Sequence, residues 1–111
     1  MNQFHNPEHE RLAKTAVDPQ RVLPGENLQS RDPEDAVHWI RVYEELAGFK
    51  EHMLADMEAE LPDLPAVAAS EVRGLDITII RQQLDRYLKR LDYWQRRLRE
   101  LPAERQAVQR A

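Results

Sequence analysis

The chain of 111 residues contains no cysteine, which excludes disulfides and thiolate metal sites outright. Glycine is scarce, with three residues in all, and no Asn-Gly or similar dipeptide marks a β-hairpin. No apolar run approaches the ~20 residues that cross a bilayer. The opening Met1-Asn2-Gln3-Phe4-His5 lacks the basic segment and apolar run of a secretory leader. Gly-rich phosphate loops, serine or cysteine nucleophile motifs and paired acids of defined spacing are missing too. What remains is an all-α, non-enzymatic chain of one domain at most, expected to be cytoplasmic, with no membrane partner and no cofactor.

The strongest pattern present is a seam. Ile77, Ile80, Leu84, Tyr87, Leu91, Trp94, Leu98 and Leu101 succeed one another at alternating steps of three and four. That is the heptad spacing of a helix that faces a partner helix. It predicts a second helix over about 65–101, with a weak point at Gly74 and a further cap at Ser70. Pro102 is expected to stop or kink it, leaving 102–111 as a frayed tail. A first helix is predicted over about 33–60. Asp32 caps it, Pro33 suits its first turn, and Glu34 and Asp35 suit the positive end of its dipole. Trp39, Ile40, Tyr43, Leu46, Met53 and Met57 give it an apolar stripe. Pro62 disfavours helical geometry at Leu61 and ends it. Leu61-Pro62-Asp63-Leu64-Pro65 is then a stiff turn, with Asp63 as the cap of the second helix. Residues 1–32, interrupted by Pro7, Pro19, Pro24 and Gly25, read as a mobile, irregular tail.

Two long helices joined by a short stiff link form an antiparallel hairpin. A pivot near residue 63 or 64 makes facing numbers sum to about 127. Leu46 then meets Ile80, Tyr43 meets Leu84, Trp39 meets Leu88 and Ala36 meets Leu91. Trp94, Leu98 and Leu101 extend past the end of helix 1 in this register. With Tyr93 beside them they are the expected partner-binding residues, and Trp94 is the expected anchor. The rival is that Phe4, Leu12, Val22 or Leu23 of the tail folds back over them. Two helices alone bury little surface, so a protein partner or a homodimer is expected to complete the fold. Charge is uneven along the chain: residues 33–65 carry nine acids and two bases, whereas 66–111 carry six acids and ten bases.

His38, Glu45 and His52 share a side of helix 1, but the Glu-x-x-His pattern of bundle metal sites is missing, so no metal is expected. The arginines of helix 2 suggest a polyanion surface. Asp85–Lys89 and Asp92–Arg96, however, are acid-first pairs four apart, which makes a solvated face the better reading and nucleic acid a poor partner. Asp76-Ile77-Thr78-Ile79-Ile80-Arg81, leading into a heptad helix, resembles part of the RsiG-type anti-sigma factors. Their motif is Glu-x3-Ser-x2-Arg-x3-Gln-x3-Asp. Here Arg81 matches and Thr78 stands at the serine, while Gly74, Asp85 and Lys89 replace the Glu, Gln and Asp. The resemblance implies a regulatory helical hairpin that holds a sigma factor with cyclic di-GMP as ligand, and a small-molecule contact at Arg81.

Overall fold

The computed structural model describes residues 18–110, with side chains as far as Leu101. Helix α1 spans Pro33–Glu60. A 3-10 turn, Leu61–Asp63, leads to a short helix α2, Ala66–Glu71. A wider π-wound segment, Val72–Ile77, joins α2 to helix α3, Thr78–Arg110. Helices α1 and α3 pack against each other as an antiparallel hairpin, and the described residues contain no strand.

The start of α1 derives from its sequence. Asp32 is extended, and its carboxylate accepts the Glu34 amide at 2.9 Å, which satisfies one of the helix's free donors. The helix ends at Glu60, as expected, but not for the expected reason. Leu61 keeps helical angles, and the chain turns away at Leu64, with φ −88 and ψ 148. Leu64 precedes Pro65, whose ring crowds a helical neighbour on its N-terminal side. Neither Asp63 nor Ser70 caps α2, which begins after Pro65 with no side-chain cap. Gly74 lies inside the π-wound segment. Glycine holds an α-helix least firmly, so the extra residue of the wide turn is accommodated where the helix is weakest.

The core has two parts. Ala36, Trp39, Tyr43 and Ala47 of α1 meet Tyr87, Trp94 and Leu101 of α3 in the larger one. Leu54, Ile77 and Ile80 form the smaller one nearer the turn, with Leu84 packed against both. The predicted seam is thus the inner face of α3. Its register is not the predicted one. The ring of Tyr43 lies 6.1 Å from that of Tyr87, so facing numbers sum to about 130 there. Leu88, the expected partner of Trp39, is 43% exposed. The 3-10 turn and Pro65 move the pivot towards the C-terminus, and α3 slides along α1 accordingly. This places Trp94 level with Ala36, not beyond the end of α1.

Residues 18–32, expected to be mobile, form a strap of three consecutive β-turns. Arg21 N–H bonds Asp18 O at 3.1 Å, Glu26 N–H bonds Leu23 O at 2.9 Å, and Ser30 N–H bonds Asn27 O at 3.1 Å. Pro24 and Gly25 are the central residues of the middle turn. Gly25 has φ +83, the left-handed conformation that the second central position of a type II turn requires. Leu23 and Leu28 of the strap pack on the larger core. The expected frayed tail also differs, because α3 runs on through Pro102 to Arg110. Residues 1–17, including Phe4 and Leu12, lie outside the described residues.

Candidate functional site

The best-defined polar arrangement is centred on Glu26. Its side chain is fully buried against the hairpin. One carboxylate oxygen, Oε1, accepts the Tyr43 hydroxyl at 2.6 Å and the Leu23 amide at 3.0 Å. The other, Oε2, accepts the Trp94 indole N–H at 2.8 Å. Arg90 Nη1 stands 3.1 Å from Oε1, as an ion pair without an aligned hydrogen bond. Tyr43 belongs to α1, Trp94 and Arg90 to α3, and Leu23 to the strap. All three segments therefore converge on one carboxylate.

Further bonds tie the strap down along α3. Arg90 Nη2 donates to Pro19 O at 3.2 Å and to Arg21 O at 3.1 Å. The Tyr93 hydroxyl donates to Leu28 O. Arg97 donates to Ser30 O from Nε at 3.3 Å and from Nη2 at 3.2 Å. Most of the acceptors are backbone carbonyls, so the strap is read by its turn geometry more than by its side chains.

This arrangement corrects the expectation that Trp94, Leu98 and Leu101 lack an intramolecular partner. Trp94 and Leu101 are 0% exposed, Leu98 and Tyr93 are half-buried against the same core, and Leu23 is among the residues that pack there. Fully buried in its own chain, Trp94 has no free surface with which to anchor a partner.

Burial pushes the Glu26 carboxyl upward, but the bonds from Trp94, Tyr43 and Leu23 and the neighbouring Arg90 guanidinium outweigh it, and the group sits below its ordinary value of 4.5. Burial raises the Tyr43 hydroxyl, and its bond to Glu26 and that residue's charge raise it further. The stability contributed by Glu26 is therefore complete above the ordinary carboxyl range and is lost as pH falls through the lowered value. That contributed by Tyr43 is complete below pH 10 and is lost as pH rises through its raised value. Thermal melts against pH are expected to show a plateau between these limits. Glu26→Gln should flatten the acid limb and shrink the alkaline one to the part that burial of Tyr43 supplies.

Two surface grooves lie on the helices, one of them bordered by the strap. One, of about 560 Å³, is lined by Thr78, Arg81, Gln82, Asp85, Arg86 and Lys89, with Pro19 at its edge. Arg81, the contact implied by the anti-sigma resemblance, lines it and pairs with Glu58 of α1. Asp85 holds Lys89 at 2.8 Å, and Asp92 holds Arg96 at 2.9 Å, so both predicted pairs form. The other groove, of about 250 Å³, runs along α1 between Phe49, His52, Met53, Asp56, Met57 and Glu60. His52 contacts Asp56 at 3.5 Å, and His38 packs edge-on against Trp39 with ring centroids 4.8 Å apart. Among the described residues no three His, Cys, Asp or Glu side chains come together, and no helix is long and apolar enough to cross a membrane.

Sequence reasoning did not find Glu26, and it counted Arg86 only as one arginine of a solvated basic stripe on the second helix, where the structure buries it. For Glu26 a local signal existed, because Leu23-Pro24-Gly25-Glu26 reads as a type II turn. A turn motif says nothing, however, about where the turn docks. For Arg86 no signal existed, since it differs from its neighbouring arginines only in burial. No family model matches the chain, and comparison with curated proteins and with solved structures gives no significant match.

Proposed function

We propose that this chain is a non-enzymatic interaction module, a strapped helical hairpin that holds a protein partner on the outer face of α1. The observation that supports this reading is Phe49, which is 61% exposed at the head of the α1 groove. Half-buried Met53 and Met57 line it together with the exposed acids Asp56 and Glu60. An exposed aromatic above a methionine-lined groove is costly to leave in water and suits a helix-in-groove contact. The charge of residues 33–65, nine acids against two bases, selects a basic amphipathic segment as the occupant. The anti-sigma resemblance points to the same class of role, a hairpin that acts by holding another protein. Since the strap already completes the larger core within one chain, dimerisation is not needed to cover it.

Placing a photo-crosslinking amino acid at position 49 tests this reading in the native cell. An adduct is expected with a protein whose crosslinked peptide is basic and amphipathic. Phe49→Asp should abolish co-purification of that protein and leave the melt nearly unchanged, since an exposed substitution costs about 0.5 kcal/mol or less. An adduct with a second copy of the chain would replace the partner by self-association. No adduct at all would overturn the reading.

A further inference from the structure

We infer that the seat of the strap is a recognition site for an acidic turn of a partner protein, with the strap as its built-in competitor. The occupant it fits is a Pro-Gly-acid turn that carries a second carboxylate. The inference does not depend on the docking reading of α1.

The seat is built by the hairpin. Tyr43 comes from α1, and Arg90, Tyr93, Trp94 and Arg97 come from α3. Their donors meet the carboxylate of Glu26 and the backbone carbonyls of Pro19, Arg21, Leu28 and Ser30. Every chain carries such carbonyls, so another segment with the same turn offers the same acceptors. What its sequence must supply is the Pro-Gly pair that shapes the turn and the acid that follows. The strap's apolar side chains on the larger core are Leu23 and Leu28, a small apolar hold that a competing segment can replace. Trp94 becomes available to a partner only when the strap leaves.

Charge selects the occupant. Among the described residues the buried charged groups are Glu26, Arg86 and Arg90, two cations against one anion. Arg86 and Arg90 stand four apart on α3, on neighbouring turns of one face. Arg90 Nη1 lies 3.1 Å from Glu26, whereas Arg86 Nε and Nη2 have no hydrogen-bond acceptor. The Tyr87 ring, 4.8 Å from the Arg86 guanidinium carbon, offers a π face but no lone pair. Arg86 lies within electrostatic reach of the seat: burial and Glu26 raise the Tyr43 hydroxyl, and the charges of Arg90 and Arg86 act against them. Arginine keeps its charge at any ordinary pH, so the surplus is not relieved by losing a proton. A buried cation without a counter-charge is costly, and a turn with two acids suits this seat better than the strap does. The second acid belongs near position 21. Arg21 O accepts from Arg90 Nη2 at 3.1 Å, and Pro19 lines a groove together with Arg86, so the backbone there passes both buried arginines. In this chain the residue at that position is itself an arginine.

The test uses the full chain carrying Glu26→Ala, whose own strap lacks the carboxylate, titrated with synthetic peptides of residues 18–32 at constant ionic strength. The wild-type peptide is expected to raise the melting temperature saturably, by several degrees. The peptide with Arg21→Glu should reach half-saturation at about ten-fold lower concentration, and the peptide with Glu26→Ala should give no shift. If the Glu26→Ala chain does not fold, the full chain with Glu26→Gln, which keeps the side chain's volume, takes its place. Adding Phe49→Asp to the chain should leave the response intact, which separates the seat from the groove on α1. No saturable shift, or an equal shift from the Glu26→Ala peptide, overturns the site. Equal half-saturation by the wild-type and Arg21→Glu peptides overturns the doubly acidic occupant.

Discussion

Glu26→Ala is expected to destabilise the chain by about 3–5 kcal/mol, the range for breaking a buried ion pair by removing one member. The loss is large because one carboxylate serves several buried groups. Its removal leaves the Tyr43 hydroxyl and the Trp94 indole N–H without their acceptor, and the buried Arg90 without its counter-charge. Each orphaned donor alone costs about 1–3 kcal/mol. Urea unfolding measures the effect, and limited proteolysis locates it. Cleavage within 18–32 should precede cleavage within α1 or α3, because the strap is held through Glu26 and each helix also has the hairpin. A change below about 1 kcal/mol would mean that the apolar contacts of Leu23 and Leu28 hold the strap unaided.

Trp94→Ala is expected to cost a similar amount, about 3–5 kcal/mol for a large aromatic removed from a core. Trp94 is the largest of the fully buried side chains, and its loss opens a cavity where α1, α3 and the strap meet. It also removes a donor to Glu26, so the two substitutions share part of their effect. The double variant should lose less than the sum of the single losses. An interface anchor on an uncovered overhang behaves differently, since its truncation would lower oligomeric mass and spare the melt. Circular dichroism and light scattering on Trp94→Ala distinguish the two. An unchanged melt would refute the buried position.

The helices were legible because their signals are local or periodic. Asp32 and Pro33 set the start of α1 by capping chemistry. The seam residues lie on the inner face of α3 because burial along a helix repeats with its pitch. Register was less legible. Pro62 has the local signature of a residue that ends α1, whereas Pro65, acting on Leu64, is where the chain leaves helical geometry. A displacement of the pivot by one or two residues re-pairs every facing side chain, which is why Tyr43 meets Tyr87 and not Leu84. The strap was not legible as part of the fold. It has few apolar residues, its turns suit a loose tail equally well, and its anchor is an acid, a residue type seldom buried unless paired. Glu26 is buried because its partners lie 17 and 68 positions away in Tyr43 and Trp94. No local window contains them together. Arg86 illustrates the same limit, since its composition and spacing match those of its solvated neighbours.

The distance between Glu26 and Trp94 also has a consequence for biosynthesis. The strap leaves the ribosome before the seat it occupies is made. At about 5–20 residues per second, the 68 positions between them take on the order of 3–14 s to translate. During that interval residues 18–32 have no seat to bind. Their composition suits the wait, with no aromatic residue and only Val22, Leu23 and Leu28 as large apolar side chains. A nascent chain stalled before Trp94 would therefore carry an unseated strap and an α1 whose aromatic face is bare. It is at this stage, not after release, that the protein has most to gain from a chaperone.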